Sequence, residues 1–248
     1  MSFINFYKTI YTDKIVNLFN YSNNSLFEGL YRYLAILISP IFIKFNANFI
    51  SFLSLVCAFL AFVFFKLLDC KLNYILIFFF ISFILDFTDG LVARYQNKSS
   101  FYGRFIDGMF DIIVIGFIHI IFLDYLTNQT FYFLNLNFFY FCIFLLPIQH
   151  LILDRYSSMA RWCNSVNDND QISPYLRNKK LKNITMILFD MQNLCLLIIL
   201  LLKESNFIIL IQLYFFFSFL ASIFSILLYT ISAYKNFYNT SNQLDNKD

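Results

Sequence analysis

"DFTDGLVARYQNKSSFYGRFIDGMFD", residues 86–111, is the stretch on which the reading of this chain turns. It carries four aspartates, Asp86, Asp89, Asp107 and Asp111, in a chain that is 60% hydrophobic and only 13% charged. The apolar run FFFISFIL stands before Asp86, and IIVIGFIHIIFL follows Asp111. Runs of that kind read as membrane helix, where a buried acid is costly and marks a functional site. A solvated loop suits only the middle of the stretch, Asn97, Lys98, Ser99 and Ser100.

Working outward, the composition places the chain in the membrane class: long apolar runs, 36 Phe, 17 Tyr, 5 Gly and 3 Pro in 248 residues. A bilayer core of about 30 Å takes roughly 20 apolar residues of helix. Six segments meet that need, at about 49–68, 73–93, 101–123, 131–153, 185–202 and 207–232, the last two joined by the turn KESN. The fold class is therefore all-α and polytopic. Before Asn46, LYRYLAILISPIFIKF (residues 30–45) is apolar, with Arg32 and Lys44 near its ends and Pro40 inside. It reads as a helix lying in the inner headgroup layer, with a kinked seventh span as the alternative. The resulting organisation is an N-terminal cytoplasmic and interfacial segment over 1–48, a six-helix transmembrane domain over 49–232 and a polar cytoplasmic tail over 233–248.

Orientation follows from Lys and Arg. With the N-terminus inside, only Lys66, Lys71 and Lys203 of the 18 basic residues fall on the outer side. The four aspartates then lie at the cytoplasmic ends of the second and third spans. The membrane itself stays open between a bacterial inner membrane and a eukaryotic organelle membrane. The formal charge of +3 argues for no nucleic-acid partner. Cys57, Cys70, Cys142, Cys163 and Cys195 stand far apart, without CxxC or CxxH spacing, and read as small apolar residues. The N-terminal MSFINFYKTIYTDK has no long apolar core or small-residue cleavage site, which predicts no cleaved signal peptide.

Placed on helices, Asp86 and Asp89 share a face with Gly90 and Ala93, and Gly103, Asp107 and Asp111 step by four along the next helix. The short connection predicts antiparallel neighbours whose carboxylate pairs face each other across a cleft. Crowded carboxylates repel, so they either hold protons or bind cations. Oxygen ligands favour Mg²⁺, Mn²⁺ or Ca²⁺ over zinc or copper, and two divalent ions would neutralise four aspartates. Gly90 and Ala93 are small enough to let a ligand approach the helix backbone.

The stretch resembles the signature of the CDP-alcohol phosphotransferase family, D-x-x-D-G-x-x-A-R, eight residues, then G-x-x-x-D-x-x-x-D. Asp86, Asp89, Gly90, Ala93, Arg94, Gly103, Asp107 and Asp111 occupy all of its defined positions. NANFIS, residues 46–51, is similar to the family's P-N-x-I-T element, with Ala47 for the usual Pro and Ser51 for the usual Thr. The six-span layout agrees, and beyond about residue 124 the resemblance rests on topology alone.

The resemblance implies an enzyme in which an alcohol hydroxyl attacks the β-phosphorus of a CDP-linked alcohol and CMP leaves. It implies two divalent ions, Mg²⁺ or Mn²⁺, held by Asp86, Asp89 and Asp107, with Asp111 as a ligand and candidate general base. Arg94 either contacts the nucleotide's phosphates or the acids, or serves as a positive-inside anchor. With Gly90, Ala93 and Gly103, Asn48 and Ser51 are expected around the nucleotide. Arg155 and Arg161, in the loop DRYSSMARWCNSV after the fourth span, are candidates for the acceptor's phosphate or for topology alone. Asp190, with Gln192 and Asn193, interrupts the fifth span at about the depth of the aspartates and is either acceptor pocket or polar helix packing. His150 is a candidate second-layer or interfacial residue, and His119 reads as structural. The commonest family arrangement pairs CDP-diacylglycerol with a small polar alcohol or alcohol phosphate in phospholipid biosynthesis. The reverse pairs CDP-choline or CDP-ethanolamine with diacylglycerol. Readings from other classes are a divalent cation transporter, against which no polar line crosses the membrane, and a non-catalytic scaffold, against which the signature is intact. A homodimer joined through the third and fourth spans is the family expectation.

Overall fold

The structure, a computed structural model, describes residues 26–68, 70–96, 98, 101–127, 134–166, 179–201 and 207–234, with side chains from 161 to 166 and 179 to 182 and that of residue 101 outside the description. Residues 1–25, most of the polar tail and the KESN turn lie outside the described residues. The described elements are all helical: α1 (Leu26–Phe42), α2 (Ala47–Leu68), α3 (Leu72–Tyr95), α4 (Phe101–Thr127), α5 (Leu136–Val166), α6 (Lys179–Leu201) and α7 (Phe207–Ala233). Six of them, α2 to α7, are long and apolar enough to cross a membrane. In hydrocarbon every backbone polar group must be paired within the chain, which is why spans this apolar are helices. α1, with 17 residues and Pro40 near its end, is the short element before them.

The fourth span differs from the sequence expectation. It begins at Leu136 rather than near 131, and residues 154–166, expected as a loop, continue the helix to Val166. The apolar pattern stops near Leu153, but DRYSSMARWCNSV contains neither Gly nor Pro. A fall in hydropathy marks where a helix leaves the apolar layer. Only a breaker or an unmet backbone demand ends it.

Contacts group the chain into two compact units. The first comprises residues 1–132 and 193–211, the second 133–192 and 212–248. In the first, α2 packs against both α3 and α4, while α1 lies on α3. α3 and α4 touch only sparingly, so their short connection does not make them packed neighbours along their lengths. Between them α2 provides the common surface.

The α2–α3 contact is built on small side chains. Ser54 Oγ donates to the Ser82 carbonyl at 3.0 Å, and Ser82 Oγ donates to the Ser54 carbonyl at 2.9 Å. Both serines are buried, with Ala58 and Ala61 further along the same face of α2. Small residues at a membrane helix contact let the backbones approach and so gain van der Waals contact between them. Next to the serines, Ile50 packs on Leu85 and Val92, with Ile38 and Phe42 of α1 closing over them. Tyr31 of α1 stacks against Phe87 at 6.0 Å between ring centroids, and Ala35 and Ile36 pack on Leu91. At the opposite end of α2, Lys66 pairs with Asp124 of α4 at 2.9 Å. Phe62 stacks on Phe117 between them and the middle of the helices, centroids 5.0 Å apart.

In the second unit, α5 and the greater part of α7 are joined by aromatic contacts, including Phe139 with Phe215 at 4.9 Å and Tyr156 with Tyr229 at 5.4 Å. Ser222 Oγ donates to Gln149 Oε1 at 2.7 Å in the same seam. The thiols of Cys57, Cys70, Cys142 and Cys195 are free.

Candidate active site

The site begins with the register of α2 on α3. Leu85 and Val92, the residues that Ile50 grips, stand one turn before and one turn after Asp89. Ser51 follows Ile50 in the chain, and its hydroxyl donates to Asp89 Oδ2. A carboxylate held by a hydroxyl from a neighbouring helix has a restricted orientation, and charge-assisted bonds of this kind are the strong ones.

The other acids gather from the last turns of α3 and the first turns of α4. Asp86 is within hydrogen-bonding reach of both Asp107 and Asp111. Asp86, Asp89 and Asp107 each bring one carboxylate oxygen to within 4.8 Å of the others. Asp89 is buried, whereas Asp86, Asp107 and Asp111 are half-buried. The Arg94 guanidinium interacts electrostatically with Asp107, and it lies across Gly90, where a Cβ would meet its terminal nitrogens at 3.5 and 3.6 Å. That distance is ordinary van der Waals contact, so protein packing alone leaves room for a methyl group at Gly90.

Three carboxylate oxygens this close suit a hard divalent cation such as Mg²⁺ or Mn²⁺, and they suit zinc or copper poorly. Two of the donors, Asp89 and Asp107, also line a cavity of about 310 Å³, so a cation held there keeps coordination positions on the cavity side. The remaining wall is Ala47, Asn48, Ser51, Gly90, Ala93, Arg94, Lys98, Gly103 and Arg104. A volume of this size falls in the range of small-molecule sites, roughly 300–1,000 Å³. The first turn of α2, which Asn46 caps by accepting from the Asn48 N–H at 3.2 Å, opens onto it. The positive end of a helix dipole favours an anion.

These observations fix what kind of protein this is once the sequence comparison is added. A model of the CDP-alcohol phosphatidyltransferase family matches residues 44–228. The chain belongs to that family. Among curated proteins, none matches it. CDP-alcohol phosphatidyltransferases are phosphotransferases of phospholipid biosynthesis. They bind a CDP-alcohol and an alcohol acceptor, transfer the phosphatidyl group between them, and generally use divalent metal ions. The matched region runs from just before α2 to within α7.

The structure brings together all eight signature positions and both residues of the NANFIS element named above, Asn48 and Ser51. Of these, Asp89, Gly90, Ala93, Arg94, Gly103, Asp107, Asn48 and Ser51 line the cavity. Ser51 has a second connection that the sequence reading did not foresee, its bond to Asp89. Lys98, which the sequence places in a solvated loop, and Arg104, which it does not single out, also line the cavity. Their flanking position in the signature was the available signal. Arg155 is exposed on α5 and Asp190 half-buried on α6. Both belong to the second unit, and the Arg161 side chain lies outside the described residues. His119 is fully buried, its Nδ1 2.9 Å from the Ile115 carbonyl one turn earlier in α4.

Proposed function

We propose that this chain transfers the phosphatidyl group of CDP-diacylglycerol to the hydroxyl of a small polar alcohol or alcohol phosphate at the cytoplasmic face of its membrane, releasing CMP. The observation that carries the reading is the convergence of Asp86, Asp89 and Asp107 beside a cavity walled by Asn48, Arg94, Lys98 and Arg104. Diphosphate is anionic and cytidine is polar, and this cavity offers basic side chains, a helix N-terminus and small residues on one surface. The cytoplasmic placement rests on the distribution of Lys and Arg.

Asp86, Asp89 and Asp107, with Asp111, are the residues that would hold divalent cations. When bound, such ions neutralise the diphosphate and ease departure of the nucleotide. The protein's own residues supply the rest. Arg94, Lys98 and Arg104 hold the phosphates, and Asn48, Ser51, Gly90, Ala93 and Gly103 shape the space for the nucleotide. Asp111 accepts the proton of the acceptor hydroxyl. The acceptor oxygen then forms a bond to the β-phosphorus, the bond to the bridging pyrophosphate oxygen breaks, and CMP leaves with that electron pair. Arg155 and Arg161, from their charge, and Asp190, from its polarity within the fifth span, are the acceptor candidates, with topology and polar helix packing as their alternative roles; a homodimer is what the family pattern implies.

Purified protein in detergent, supplied with Mg²⁺ or Mn²⁺, CDP-diacylglycerol and a panel of polar alcohols, should release CMP with one acceptor. Release only from CDP-choline or CDP-ethanolamine with diacylglycerol would reverse the donor assignment. No release from any CDP donor by folded, metal-loaded protein would overturn the reading.

A further inference from the structure

Gln96 stands just past the end of α3, two residues beyond Arg94 and outside the defined positions of the signature. Its backbone N–H closes the helix on the Val92 carbonyl at 2.9 Å. Its side chain turns away from α3 altogether. Both hydrogens of the amide are used on the segment between α1 and α2: Nε2 donates to the Ile43 carbonyl at 2.7 Å and to the Phe45 carbonyl at 2.8 Å. Those carbonyls belong to residues that no helix ladder serves, because α1 ends at Phe42 and α2 begins at Ala47. The connection is also held by the turn bond from Phe45 N–H to the Phe42 carbonyl, the Asn46 cap and the stacking of Phe45 on Phe49.

We infer that Gln96 is a positioning residue for CDP-donor binding: it clamps the α1–α2 connection to the end of α3 and so fixes the wall carrying Ala47, Asn48 and Ser51 against the wall carrying Asp89, Gly90, Ala93 and Arg94. Both walls line the same cavity, and Gln96, outside its lining, joins the segments that carry them. The inference rests on the reading of this cavity as the site of the CDP-linked donor. The chemistry follows from geometry. A nucleotide that contacts both walls must order them relative to each other, and a clamp in the free protein removes that cost in advance. Asp86 and Asp111 stand off the cavity lining, and Asp89 is held by Ser51, which its neighbour Ile50 anchors between Leu85 and Val92 without help from Gln96. Loss of the clamp should therefore be felt in donor affinity rather than in the chemical step.

The test compares wild-type protein with Gln96→Glu and Gln96→Leu. Glutamate keeps the shape but sets oxygen against two carbonyl oxygens, and leucine removes the donors without charge. CMP release is measured against donor concentration, and backbone hydrogen exchange of residues 42–51 is followed in the nucleotide-free protein. The expected result is a KM for the CDP donor about tenfold higher in both variants, from the loss of two hydrogen bonds. The kcat should stay within about twofold, and exchange should quicken in residues 42–51 but not in 72–92. Unchanged KM in active variants would overturn the inference, as would a kcat that falls while KM holds. A silent wild-type protein would instead overturn the functional reading. In that case exchange alone decides the clamp: faster exchange at 42–51 in the variants supports it, and unchanged exchange refutes it.

Discussion

Ser51 donates its hydroxyl to Asp89 across the α2–α3 contact, tying a residue of the second turn of α2 to a carboxylate of the cation-holding group. The bond is possible because Ile50, its neighbour, is seated between Leu85 and Val92. A conformationally restrained carboxylate needs less ordering when a cation arrives. Ser51→Ala should therefore lower kcat/KM about tenfold or more, the range of a hydrogen bond to a charged group. It should also raise the Mg²⁺ concentration needed for half-maximal rate. Ser51→Thr, which keeps the hydroxyl, should stay near wild type. A metal-activation curve for the three proteins decides.

Asp111 differs from the other acids in touching Asp86 while lying outside the group whose oxygens fall within 4.8 Å of one another. If it takes the acceptor's proton, Asp111→Asn should reduce CMP release by roughly 10²–10⁴, the usual worth of a positioned base. Binding of the CDP donor should persist. Equal loss of donor binding and rate would assign Asp111 to holding the cation alone.

Like charges held together destabilise a fold until something neutralises them. Mg²⁺ or Mn²⁺ should raise the melting temperature of the purified protein, and a chelator should both reverse that gain and abolish CMP release. Asp107→Ala should remove the metal-dependent part of the melting shift. A melting temperature indifferent to divalent ions would argue against a cation among these aspartates.

The reciprocal Ser54–Ser82 pair is buried in the α2–α3 contact, where a larger side chain would have to displace its neighbours. Ser82→Leu should cost about 1–3 kcal/mol through overpacking, and should also lower activity by shifting Ser51 away from Asp89. Ser82→Ala should cost less, on the order of 0.6 kcal/mol, as hydrogen bonds between membrane helices typically do. Thermal unfolding in a single detergent ranks the two.

Lys66 and Asp124 form an ion pair whose side chains are each more than one-third exposed. Exposed pairs contribute about 0–1 kcal/mol. Lys66→Met should change the melting temperature little and leave CMP release intact. A large effect on activity would mean that the α2–α4 contact transmits strain to the site.

The sequence by itself determined the helical class, the six apolar spans and the residues that belong together. Those features are periodic or compositional, and local spacing encodes them: Asp86 with Asp89, and Gly103 with Asp107 and Asp111, share helix faces whatever surrounds them. It also carried the family, because eight fixed residues stand at fixed separations. Where α5 ends could not be read the same way, since Leu153 marks the edge of the apolar pattern and not the end of the helix. Only the tertiary structure decided that α2, rather than α4, is the main partner of α3, since that depends on the meeting of Ser54 with Ser82 and of Ile50 with Leu85 and Val92. It also decided that Ser51 serves Asp89, that Lys98 and Arg104 face the cavity, and that Gln96 reaches back more than fifty residues to Ile43. Hydrogen bonds between segments distant in sequence follow from packing, and no period or motif in the chain announces them.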